Sequence, residues 1–207
     1  MTGGKLAIEG GAPIRGGDDP LPDVYPRSVG ANARAYYGEL IASGLTKAPD
    51  FDRAFAEANG ARFALSVANC TAANHVSCAA CGVGPGDEVV VSPITDYGTI
   101  YGIVAQRAIP VFADTDRLSG NVTAETIEAV ISDRTRALSV VHWAGITCDM
   151  EPIVELARRR GLPVIEDVCQ APLAEGPAAG SRRATGCWRS TMRMLSPSLT
   201  RASILLR

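Results

Sequence analysis

The chain has 207 residues, 46% of them apolar and 20% charged, with a formal net charge of −2. That length allows one sizeable core, and the composition excludes disordered, collagen-like and disulfide-stapled classes. The opening MTGGKLAIEGG has no apolar run of signal-peptide type. No run of about 18 apolar residues reads as a membrane span, so the expectation is a cytoplasmic protein with no membrane and no nucleic-acid partner.

Residues 1–30 are rich in Gly, Pro and Asp and read as an N-terminal arm with turns. From Ala31 to Ser43 the spacing is helical, with Gly44 as C-cap. A second helix is expected over Pro49–Asn59, with Phe51, Phe55 and Ala58 on one face and Gly60 as its stop. A regular alternation follows. Short apolar strands are expected at Phe63–Val67, Glu88–Val91, Pro110–Ala113, Ala137–Val141 and Leu162–Glu166. Helices are expected between them, from Thr71 to Gly82, Tyr97 to Arg107, Thr123 to Ser132 and Asp149 to Arg160, with Thr71, Thr123 and Asp149 as N-caps. Gly161 ends the last helix, and GVGPGD at 82–87 carries turn chemistry. Continuous runs such as EVVV and PVIE suit strands covered on both faces. The pattern predicts an α/β fold, a mostly parallel sheet with helices on both faces.

Six cysteines are scattered along the chain: Cys70, Cys78, Cys81, Cys148, Cys169 and Cys187. They read as reduced thiols acting as small hydrophobes. Cys78 and Cys81 form a C-x-x-C, but inside an expected helix and without a second pair or a His pair. No metal site is therefore expected.

Ligands of open parallel sheets sit at the C-terminal ends of strands. After Phe63–Val67 comes ANCTAANH. The backbone N–H groups of Cys70, Thr71 and Ala72 at a helix start suit an anion such as a phosphate; an ordinary helix cap reads as well. After Leu162–Glu166 comes Asp167. A carboxylate at the end of a buried strand is costly without a partner, and a protonated pyridine nitrogen would be one. A loop carboxylate or a cap is the plainer alternative. Gln170 lies three residues on, within reach of the same ligand. His142, after Ala137–Val141, reads as a hydrogen-bonded scaffold residue more readily than as a catalyst.

Taken together, these segments resemble one family. LAIEGGAPIR at 6–15 is similar to the opening of DegT/DnrJ/EryC1/StrS aminotransferases. The likeness continues through ARFALSVANCTAANHVSCAACGVGPGDEVVVSPITDYGT, IPVFADTD, ALSVVHWAGITCDMEPI and RRRGLPVIEDVCQA, and covers about residues 6–176. The resemblance implies a fold-type-I enzyme using pyridoxal 5'-phosphate (PLP), with residues 31–176 as part of its large PLP-binding domain. It implies a homodimer that transfers an amino group from glutamate or glutamine to a keto sugar or keto-cyclitol. By position it implies Cys70, Thr71 and Ala72 at the cofactor phosphate, Asp167 at the pyridine nitrogen, Gln170 at the 3-hydroxyl side and His142 as a scaffold residue beside the ring.

The sequence departs from the family at several places. Cys70 stands where many members have Gly, and Asn74 where Leu is usual. Asp96 replaces the aromatic residue that stacks on the ring; neighbouring Tyr97 is the candidate substitute. The Schiff-base lysine, expected some 20–30 residues after Asp167 as S-x-K with the chemistry of an activated amine, is missing. The only lysines are Lys5 and Lys47, and no His follows His142. The catalytic set is therefore incomplete, and the C-terminal small domain is expected to be absent.

All 22 acids precede residue 176, whereas residues 176–207 hold six arginines and no acid. Residues 177–207 read as an atypical tail, with no clean periodicity and no strand pair. Wrong-frame translation of a GC-rich gene gives such a composition; a basic tail for nucleic acid or an anionic membrane is the second explanation. The expected function is a truncated, inactive aminotransferase. The alternatives are a non-catalytic module that holds PLP or a nucleotide-sugar, and a degenerate remnant.

Overall fold

The computed structural model describes residues 32–44, 48–59 and 61–171, and the backbone of 192–195 and 204–206. The chain divides into two compact units, residues 1–47 and 48–207. In the first, α1 spans Ala33–Ser43 and ends as expected on Gly44. Gly44 adopts φ 64° and sends its N–H to the Leu40 carbonyl, a left-handed cap for which glycine has no Cβ penalty.

The second unit opens with α2 (Ala48–Ala58). Phe51 and Phe55 stack with centroids 5.3 Å apart. Ala56 is buried beside Phe55, whereas Ala58 is exposed, contrary to the expected face. The remaining elements are β1 (Phe63–Leu65), α3 (Cys70–Ala80), β2 (Glu88–Val91), α4 (Tyr97–Ala105), β3 (Ile109–Phe112), α5 (Ala124–Glu128), β4 (Thr135–Val141), α6 (Met150–Arg160), β5 (Val164–Asp167), β6 (Met192–Leu195) and β7 (Ile204–Leu206).

The seven strands form one sheet in the order β1-β7-β6-β5-β4-β2-β3. Pairings are parallel except those of β6, which runs antiparallel to β5 and to β7. The tail thus carries two paired strands where none was expected. Their sequences, MRML and ILL, are too short to show a period; their pairing comes from the vacant β5 and β1 edges.

Period-two alternation sorts the sheet's side chains between two cores. Val90, Leu138, Val140 and Val164 face Ile127 of α5 and Ile153 and Leu156 of α6. Val89, Val91, Ala137 and Ile165 face Ala73 and Cys78 of α3 and Ile103 of α4. Strands β2, β4 and β5 are covered on both faces, as their continuous apolar runs predict. Phe63 and Leu65 of β1, and Ile109 and Phe112 of β3, are exposed.

Helices α3 and α4 cross very closely at Gly102. A Cβ there would lie 2.7 Å from the Asn74 carbonyl carbon and 2.8 Å from the His75 nitrogen. Both neighbours are backbone, so no rotamer change relieves the clash. This crossing brings Thr71, Asn74 and Thr99 to the same end of the sheet. Gly102→Ala is expected to destabilise the fold by about 1–3 kcal/mol through forced separation of the helices. A lower urea midpoint at unchanged slope is the expected reading, and an unchanged midpoint would contradict so tight a crossing.

Candidate active site

Asp167 is the last residue of β5 and only 3% exposed. Its Oδ2 accepts from Thr99 Oγ1 at 2.8 Å and from Asn74 Nδ2 at 3.2 Å. Its Oδ1 accepts from the Cys169 N–H at 3.2 Å and lies 3.8 Å from Cys70 Sγ. The Cys169 thiol also contacts Oδ1, and the two sulfurs are 2.8 Å apart. Every one of these partners is neutral. A buried carboxylate held by neutral donors alone still lacks the positive charge that would offset its desolvation.

The start of α3 stands beside this carboxylate. Asn69, in extended conformation, is the N-cap, and its Oδ1 accepts from Ala72 N at 2.9 Å. Thr71 was expected to cap; the cap lies two residues earlier, at Asn69, whose side chain reaches the third N–H of the helix. The Ala72 N–H is therefore already engaged, and Cys70 and Thr71 carry the first N–H groups of the helix. Thr71 Oγ1 is packed against α4, where a Cβ at Gly98 would approach it to 2.8 Å.

The remaining expected site residues are spread more widely. Tyr97 is 68% exposed at the start of α4 and meets the Tyr101 ring edge-on at 6.1 Å. Asp96 caps α4 by accepting from Gly98 N at 2.8 Å, which explains an acid at a position where an aromatic is usual. Gln170 is exposed, and its Oε1 accepts from the Ala144 N–H at 2.8 Å. Ala144 has φ 52°, a left-handed conformation rare outside glycine, so Gln170 braces a strained turn after β4.

His142 departs from expectation. It is fully buried, and its Nδ1 accepts from the Cys148 N–H at 3.0 Å. The proton therefore sits on Nε2, which donates to Glu166 Oε1 at 2.9 Å. Glu166 and Asp167 are neighbours on one strand and point to opposite faces. His142 thus ties the ends of β4 and β5 together on the α6 face, the face opposite Asp167.

Sequence reasoning missed Asn74, Thr99 and Cys169 as part of this site. Asn74 carried a signal, a polar residue at an apolar helix position one turn after Cys70. Cys169 lies two residues past Asp167, and Thr99 gave no signal in one dimension.

The model of the DegT/DnrJ/EryC1/StrS aminotransferase family matches residues 33–187. The chain belongs to that family. The match begins later than the resemblance read at residue 6 and continues past Gly176 into the Arg-rich tail. The chain is 42% identical over 137 residues to the spore coat polysaccharide biosynthesis protein SpsC of Bacillus subtilis, covering 64% of this chain and 35% of that protein. It is 35% identical over 178 residues to the L-glutamine:2-deoxy-scyllo-inosose aminotransferase of Streptomyces lividus, covering 81% of this chain and 41% of that protein. Its fold matches an aminotransferase from Psychrobacter cryohalolentis with a TM-score of 0.68 at 35% identity, over 72% of this chain and 40% of that one. The chain thus spans between 33% and 41% of the length of the curated relatives it matches. The family and its solved neighbours are PLP-dependent aminotransferases.

The residues present fit that cofactor in part. Asp167 offers the buried carboxylate that a pyridinium N–H completes, and the α3 N-terminus offers N–H groups to a phosphate. The sulfurs of Cys70 and Cys169 stand at the same Oδ1. Both lysines of the chain lie outside the described residues.

Two outcomes follow from the buried groups. His142→Ala leaves Glu166 and the Cys148 N–H without their partner, and is expected to cost about 3 kcal/mol by urea unfolding; a loss under 1 kcal/mol would show the pair to be dispensable. Burial pushes the thiols of Cys78, Cys81 and Cys148 up from 9.0 to about 12, helped by Cys78 for Cys81 and by the Glu166 charge for Cys148. A folded pKa above the unfolded one stabilises below the unfolded value and is lost as pH rises through the folded one. Stability should therefore fall between pH 9 and 12, in step with thiolate absorbance; a flat profile there would contradict buried thiols.

Proposed function

We propose that this chain carries the cofactor-holding part of a PLP-dependent aminotransferase that aminates a keto sugar or keto-cyclitol, with glutamate or glutamine as donor. The observation that carries the reading is Asp167, a buried carboxylate whose partners are all neutral, at the C-terminal end of β5 beside the α3 N-terminus. When bound, PLP supplies an electron sink for the substrate's α-carbon.

The chain's own residues have these roles. Asp167 holds the proton on the pyridine nitrogen, and Thr99 and Asn74 fix its carboxylate. Cys70 and Thr71 give their N–H groups to the phosphate; Ala72 helps through the helix dipole, its N–H being occupied by Asn69. Gln170 keeps its Oε1 on Ala144 and turns its amide N–H groups to the 3-hydroxyl side. Tyr97 is the residue on hand to stack on the ring. His142 steadies the ends of β4 and β5 from the opposite face.

These 207 residues hold no lysine after Lys47, so we read them as holding PLP reversibly, without a Schiff base of their own. That absence also supports the second reading, a non-catalytic module for PLP or a nucleotide-sugar. The intact enzyme is read as a cytoplasmic homodimer on the family likeness; among the described residues no helix is long and apolar enough to cross a membrane.

Titration with PLP, followed by absorbance and then borohydride and intact mass, tests the reading. Saturable binding, weakened roughly tenfold or more by Asp167→Asn (one lost charge pair of ~1.4 kcal/mol or more), and no covalent adduct are expected. An adduct mapped to Lys5 or Lys47 would overturn the reversible reading. Failure of PLP to bind at all would overturn the cofactor site.

A further inference from the structure

Cys70 opens α3, and Cys169 stands in the segment leaving β5, 99 residues further along the chain. The fold turns the two side chains toward one another, with the sulfurs 2.8 Å apart. A disulfide sets its sulfurs about 2.05 Å apart and forms where two cysteine side chains already converge. Closure here needs an approach of about 0.8 Å. Cys169 is exposed and Cys70 half-buried, so a reagent in solution reaches the pair through Cys169. The other described cysteines differ. Burial pushes the thiols of Cys78, Cys81 and Cys148 up to about 12, which makes them poor nucleophiles.

We propose that Cys70 and Cys169 are a reversible oxidation site, closed to a disulfide by exchange with a low-molecular-weight disulfide of the glutathione type. The Cys169 sulfur gives up its proton to solvent and attacks one sulfur of the reagent. That S–S bond breaks, and one reagent thiol leaves with a proton. The deprotonated Cys70 sulfur then attacks the Cys169 sulfur of the mixed disulfide, and the second reagent thiol leaves. Two protein thiols are oxidised, one reagent disulfide is reduced to two thiols, and these take up the two protons released.

The Cys70 contact, burial and the Asp167 charge hold the Cys169 thiol above its ordinary value, which slows the first attack at neutral pH. The second attack joins sulfurs that the fold already holds in contact, so folding has met the entropy of closing the loop. A disulfide also has no charged form to set against the Asp167 carboxylate. The bond leaves Asp167 its donors from Thr99, Asn74 and the Cys169 backbone. A cofactor at Asp167 is therefore neither needed nor excluded.

The reduced full chain, freed of reductant, is equilibrated with glutathione and glutathione disulfide at mildly alkaline pH. It is then quenched with acid and mapped by mass spectrometry without reduction. One linked peptide pair joining Cys70 to Cys169 is expected, with two hydrogens lost from the intact mass and full reversal by dithiothreitol. Its share of all linked peptides should fall roughly tenfold or more when exchange is run in concentrated urea, where shorter loops close more readily. Cys70→Ser should leave glutathione on Cys169 as a mixed disulfide. Both thiols still open to alkylation at the most oxidising ratio overturn the site. A dominant link from either one to a different cysteine such as Cys187, or an equal share of the pair in urea, overturns it as well.

Discussion

The arrangement depends on one buried carboxylate. Asp167 ends the central strand β5 and is only 3% exposed. Left bare, that charge would be among the most costly groups in the molecule. Three neutral donors from α3, α4 and the segment after β5 hold it in place, and each needs its element to arrive in one register. The close crossing at Gly102 serves that end, since it sets Thr99 and Asn74 on a common carboxylate oxygen. What the donors cannot supply is positive charge. In the reading proposed above, the pyridinium of the cofactor would supply it.

The opposite face shows how the strand end is kept rigid. Glu166, one residue before Asp167, is buried as well and takes the Nε2 proton of His142. The imidazole is fixed in turn by a backbone N–H. Strand alternation thus separates two carboxylates by role. Glu166 finds a hydrogen-bonded partner in His142, whereas Asp167 faces α3 and α4 and is held by neutral donors alone. A purely positional reading of the family likeness merges these faces, because His142 and Asp167 both lie at the C-terminal ends of strands.

Much of the frame was legible in the sequence. The period of apolar runs, the turn glycines at 82–87 and the caps at Gly44 and Gly161 set five strands and their helices nearly in place. Asp167 was recognisable because a carboxylate closing an apolar run violates burial rules. Less legible were features that depend on distant partners. MRML and ILL have no period of their own and become strands through the edges they meet. Thr99, Asn74 and Cys169 are unremarkable singly and form a site only when the helix crossing and the β5 exit bring them together. Asn69 outcompeted Thr71 as cap by side-chain reach, which residue preference does not resolve.

The central claim is that Asp167 carries a negative charge awaiting a positive partner. Nitrogen-15 magnetic resonance of bound PLP, labelled at the pyridine nitrogen, reads that charge directly. A pyridinium shift that persists to higher pH than in free PLP is the predicted result, with reversion in Asp167→Asn. A neutral pyridine shift in the bound cofactor of the unmutated chain would contradict the claim.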